Sequence, residues 1–191
     1  MAQKLEVMVA GLGGQGLLTT GRLLAEAAMS QYKHVLYFPN YGPQMRGGES
    51  ECTVILSDEE IGSPAVYNPT SAIVMGPAAL TQLEERVSAG GTIFVDSSVI
   101  SAKVSRGDVE VFYIPATKAA IELGGRQVAN LILLGAYIEA TKAVSLELVE
   151  EAMERKLKGS RGEVHVPLNK KALLEGAKLA VNPQKPSSIS P

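Results

Sequence analysis

The segment Gly11-Leu12-Gly13-Gly14-Gln15-Gly16 constrains this chain most, because it joins a short β-type run to a helix. Leu5 to Ala10 reads as the strand. From Leu17 to Met29, small and apolar residues (Leu17, Leu18, Gly21, Leu24, Ala25, Ala28) recur at helical spacing. Strand, glycine turn and helix in that order are the setting of a dinucleotide- or phosphate-binding loop. Glycines permit the turn and a close backbone approach, and free N–H groups at a helix start attract an anion. The same pattern also suits a purely structural turn, with Gly16 and Gly21 letting the helix lie close to the sheet. A nicotinamide site needs one thing more, an acid about 20 residues on, at the end of the second strand, for the ribose hydroxyls. Here that strand ends Tyr37-Phe38-Pro39-Asn40. The missing acid counts against NAD.

Along the chain, His34 to Phe38 reads as a strand stopped by Pro39. Cys52 to Leu56, Ser71 to Met75, Thr92 to Val95 and Val109 to Ile114 read as further strands. Helical patterns cover Pro77 to Ser88, Ala116 to Leu123, Val128 to Thr141, Ser145 to Leu157 and Leu168 to Ala180. Ser145 offers an N-cap with Glu147 in the first turn. Alternating strands and helices predict a single Rossmann-like α/β domain over residues 1–181, with a mainly parallel sheet and helices on both faces. The Pro- and Ser-rich stretch 182–191 is expected to be a disordered tail.

Composition narrows the chemistry. With 46% hydrophobic and 20% charged residues the chain is an ordinary globular protein, and its net charge of -2 makes no electrostatic case for nucleic acid or an anionic membrane. Cys52 is the only cysteine, so neither an intrachain disulfide nor an iron–sulfur cluster can be built from this chain. His34 and His165 are the only histidines and have no visible nucleophile or carboxylate partner, so no metal site and no catalytic residue is expected. A start too charged for a leader and no apolar stretch of bilayer length lead to the expectation of a cytoplasmic protein.

A second loop, Tyr41-Gly42-Pro43-Gln44-Met45-Arg46-Gly47-Gly48, sets a permanent positive charge beside two flexible glycines. That arrangement suits phosphate or carboxylate. The plainer reading is a turn whose arginine pairs with Glu49 or Glu51. Gln15 is a donor to an anion or a loop brace, and Asn130 is a polar cap or an interface contact, with a structural role favoured. Cys52 reads as a small buried hydrophobe in its strand.

Together the two loops resemble the gamma subunit of 2-oxoacid:ferredoxin oxidoreductases. Gly11 to Gly16 with Gly21 and Leu24-Ala25 is similar to that family's first signature, and Tyr41-Gly42-Pro43 with Arg46-Gly47-Gly48 to its second. Weaker echoes lie in Ser57 to Pro64, in Val128-Ala129-Asn130 with Leu134-Gly135-Ala136, and in Leu168-Asn169. Gln44 departs from the acid common at its place. The form of the second loop is similar to 2-oxoglutarate, pyruvate and branched-chain enzymes, with 2-oxoglutarate favoured. The resemblance implies a non-autonomous subunit of a hetero-oligomer with thiamine-binding and ferredoxin-like partner chains. It implies ferredoxin as acceptor, and thiamine diphosphate, magnesium and iron–sulfur clusters on the partners. It also implies a contact to coenzyme A through Gly13, Gly14, Gln15, Gly16, Arg46, Gly47 and Gly48. Two rival readings stay open: an independent NAD- or flavin-dependent oxidoreductase, and an assembly module without a ligand.

Overall fold

The structure is a computed structural model that describes residues 4–41 and 48–181; Arg46 and Gly47 of the second loop, and the stretch 182–191, lie outside the described residues. Six strands, β1 (Lys4–Leu12), β2 (His34–Tyr41), β3 (Glu49–Ser57), β4 (Ser71–Val74), β5 (Thr92–Asp96) and β6 (Glu110–Ile114), make one sheet in the order β2-β3-β1-β4-β5-β6. The helices are α1 (Leu17–Ala28), α2 (Pro77–Glu84), α3 (Ala116–Glu122), α4 (Ala129–Thr141), α5 (Leu146–Leu157) and α6 (Val166–Val181).

Strands β1, β4, β5 and β6 are parallel, as expected of alternating elements, whereas β3 runs antiparallel to both β1 and β2. The reason is the connection. Only residues 42–48 separate β2 from β3, too few for the crossover that a parallel neighbour needs. The expected stop at Pro39 is corrected: β2 runs through Pro39 to Tyr41, with Pro39 opposite Cys52. Because β2 is an edge strand, a proline without an N–H can sit where no ladder bond is required.

Alternation along β1 divides the core. Val7 and Val9 face α1 and α3 to α6, while Met8 and Ala10 face α2 and the segment through Ile100. Helices therefore cover both faces unequally. Helix α4 is buried on every side from Ala129 to Ile138, and α6 crosses it backbone to backbone. A methyl group on Gly135 would collide with the Leu173 carbonyl oxygen, and one on Gly176 with that of Ile132. This close stack fixes where α4 begins, and so where Asn130 points.

Candidate functional site

The two parallel strands β1 and β4 end side by side, and β1 has an antiparallel neighbour on its other flank. A crevice at the carboxyl ends of strands, where strand order reverses, is where open α/β sheets place their ligands. The glycine loop occupies that position. Gln15 braces it from within: its Oε1 accepts from Leu12 N–H at 2.7 Å, and its Nε2 donates to the Met75 carbonyl at 2.9 Å. The side chain thus joins the ends of β1 and β4, and both of its polar ends already have protein partners.

Gly13 N–H donates to the Gly48 carbonyl at 2.8 Å, which ties the first glycine loop to the last residue of the second. Gly16 is the N-cap of α1, has φ +79°, and supplies no capping side chain. Its carbonyl accepts from Thr20 N–H at 3.0 Å, from Thr20 Oγ1 at 3.2 Å and from Asn130 Nδ2 at 3.1 Å. The amides of Gly16, Leu17 and Leu18 at the start of α1 have no backbone partner among the described residues. Gly14, at φ +96°, meets no described atom within 4 Å of where a Cβ would stand. The loop therefore exposes its backbone at Gly14, while Leu17, at the start of α1, is 2% exposed. The exposed side chain of Leu12 lies at its rim.

Among the described residues, Glu49 accepts from Gln82 at 2.7 Å and Glu51 from Asn40 at 3.0 Å. Along the same edge of the sheet, Asp96 ends β5 fully buried. Its Oδ1 accepts from the N–H of Ser98 and of Thr117, and its Oδ2 from Thr117 Oγ1 at 2.6 Å. That joint fastens β5 to α3 and was not legible in the sequence. An acid at a strand end followed by a distant Thr is too common a pattern to single out.

Cys52 is confirmed as a buried residue of β3; burial pushes its thiol up to about 12, so the sulfur is neither a thiolate nor accessible. Among the described residues no group of three His, Cys, Asp or Glu could hold a metal ion, and no helix is long and apolar enough to cross a membrane.

Comparison with known proteins agrees with this arrangement. Residues 6–179 match the family described as pyruvate ferredoxin/flavodoxin oxidoreductase. The chain is 34% identical over 184 residues to the 2-oxoglutarate synthase subunit KorC of Methanothermobacter marburgensis, covering 91% of this chain and 98% of that protein. It is 35% identical over 178 residues to the ketoisovalerate oxidoreductase subunit VorA of Methanothermobacter thermautotrophicus; that match covers 93% of this chain and only 36% of VorA. Among solved structures, the gamma subunit of a keto/oxoacid ferredoxin oxidoreductase from Geobacter sulfurreducens superposes with a TM-score of 0.83 at 30% identity, over 96% of this chain and 99% of that one. The 2-oxoglutarate:ferredoxin oxidoreductase from Magnetococcus marinus, solved with 2-oxoglutarate, coenzyme A and succinyl-CoA bound, shares the fold alone. Its TM-score is 0.85 at 22% identity, and the match covers 98% of this chain and 33% of that longer chain. The chain belongs to the pyruvate ferredoxin/flavodoxin oxidoreductase family, and within it to the gamma subunits.

Proposed function

We propose that this gamma subunit serves a cytoplasmic 2-oxoacid:ferredoxin oxidoreductase acting on 2-oxoglutarate, and that its glycine loop receives an anionic group of coenzyme A. The choice of 2-oxoglutarate rests on the likeness to KorC, which this chain matches over nearly its full length. Support for the loop comes from one observation. The bond from Gly13 N–H to the Gly48 carbonyl joins both glycine loops into one rim at the start of α1, where the amides of Gly16, Leu17 and Leu18 have no backbone partner among the described residues. Gly14 and Gly16 set the backbone, Gln15 braces it, and Arg46 and Gly47 are candidates on sequence grounds for completing the rim.

The chain's donors do not fit an iron–sulfur cluster, because its one cysteine keeps its sulfur inside the core. Clusters, thiamine diphosphate and magnesium belong to thiamine-binding and ferredoxin-like partner chains, with ferredoxin as acceptor. Thiamine diphosphate supplies the decarboxylation there. This chain's own share is to bind and orient: backbone N–H groups fixed before the ligand arrives hold an anion without reorganisation.

The test uses the complex reconstituted by co-expression with its partner chains. Ferredoxin reduction is followed with 2-oxoglutarate, pyruvate and 3-methyl-2-oxobutanoate. The highest kcat/KM is expected for 2-oxoglutarate. Gly14→Asp adds a carboxylate to the glycine loop at a position whose positive-φ backbone Asp tolerates better than most residues. It should raise the KM for coenzyme A about tenfold, the effect of roughly 1.4 kcal/mol, without raising the KM for the 2-oxoacid. An unchanged KM for coenzyme A in an assembled complex would remove the loop from the coenzyme site.

A further inference from the structure

We infer that Asn130 is a positioning residue: from α4 it holds the Gly16 turn at the start of α1, and so sets coenzyme A affinity. The inference rests on the proposed function of the loop and adds a residue to it. Asn130 is 4% exposed and stands in the run Ala129 to Ile138, every residue of which is buried and every other one small, apolar or Tyr137. A leucine would fill the same space, and an amide in such surroundings is costly unless hydrogen bonded. Its Nδ2 makes two bonds, to the Gly16 carbonyl and to Thr20 Oγ1, each at 3.1 Å, on a helix more than 100 residues earlier in the chain. It does not cap its own helix, whose N-cap is Val128.

The consequence follows from peptide geometry. In a planar trans peptide the C=O of Gly16 and the N–H of Leu17 point in opposite directions. With the carbonyl held by Thr20 and Asn130, the Leu17 amide is directed back toward the glycine loop. Gly16 has no side chain with which to brace its own turn, and its backbone sits at φ +79°. A larger residue at Gly16 would be strained at φ +79° and would displace the amide, since its Cβ would stand 2.7 Å from Asn130 Nδ2. Glycine and asparagine therefore act together: the first permits the turn, and the second, with Thr20, holds its carbonyl in place.

The reconstituted complex tests it with Asn130→Asp, which keeps the shape but replaces the donor that faces the carbonyl. Thr20→Val, which removes the second anchor of the amide, is the companion should the first variant fail to assemble. The expected result is an increase in the KM for coenzyme A of about tenfold for Asn130→Asp, with a smaller change in the same direction for Thr20→Val. The kcat at saturating coenzyme A and the KM for 2-oxoglutarate should stay within about twofold, a split that mere loosening of the core would not produce. Gly14→Asp separates the two readings. If it raises the KM for coenzyme A while Asn130→Asp and Thr20→Val do not, the inference is overturned and the loop's function stands. Should Gly14→Asp also leave it unchanged, both fall.

Discussion

At the scale of single residues, Cys52 shows how burial alone assigns a role. Its sulfur lies against the Leu17 carbonyl at 3.5 Å, and a Cβ on Gly21 would collide with it, so α1 presses directly onto β3 at this point. Burial is the main cause that pushes the thiol up to about 12, from an unfolded value near 8.5. The folded state then keeps a proton that the unfolded chain gives up. Stability from this group is fully present below about pH 8.5 and falls as pH rises toward 12, by up to about 1.4 kcal/mol per pH unit. Urea unfolding between pH 8 and 10.5 should show a steeper loss for the natural chain than for Cys52→Ala, and equal slopes would contradict the account. The sequence made Cys52 legible as a core residue because its strand alternates. It could not disclose the partners of Gln15 and Asn130. The distant ones, the Met75 carbonyl for Gln15 and the Gly16 carbonyl and Thr20 hydroxyl for Asn130, are brought near by strand order and helix packing, and nothing in local spacing encodes them.

Among the elements, those set by local chemistry were legible, and those set by neighbours were not. Ser145 caps α5 as its position suggests, its hydroxyl accepting from Leu148 N–H at 3.3 Å. Periodicity placed the strands and helices, but it ended β2 at Pro39, because a sequence does not say which strand lies at an edge. Nor did it show why Gly135 and Gly176 are glycines. Their hydrogens face the carbonyls of Ile132 and Leu173 where α4 and α6 cross, and no side chain fits between two backbones. Gly135→Ala and Gly176→Ala should each lower stability by about 3 kcal/mol or more, at or beyond the upper end of ordinary overpacking, because backbone cannot step aside as a side chain can. Gly62→Ala, which meets no described atom within 4 Å, is the control and should change stability by less than about 0.5 kcal/mol. Thermal or urea denaturation of the three variants decides it. A neutral result at either crossing glycine would mean that the helices lie further apart than the structure places them.

For the whole molecule, the decisive feature is the antiparallel strand between β1 and β2. In a dinucleotide-binding fold the second strand lies beside the first, and an acid at its end reaches the ribose of a nucleotide held by the glycine loop. Here β3 occupies that place, so β2 is two strand spacings from β1, about 10 Å. The missing acid noted from the sequence is thus the lesser obstacle. Asn40, the residue nearest the acid's usual place in the chain, instead donates to Glu51 on the intervening strand. Strand order could not be read from the pattern of elements, because the short connection makes β2 and β3 antiparallel neighbours without saying which of them lies beside β1. Installing the acid should therefore not create a nicotinamide site. Neither the natural chain nor Asn40→Asp should bind NAD or NADH with a dissociation constant below about 1 mM, the range left to contacts with the glycine loop alone. Isothermal titration of both proteins is the measurement. Micromolar binding by the natural chain would revive an independent oxidoreductase, and micromolar binding gained only by Asn40→Asp would show that β3 does not separate the loop from the end of β2.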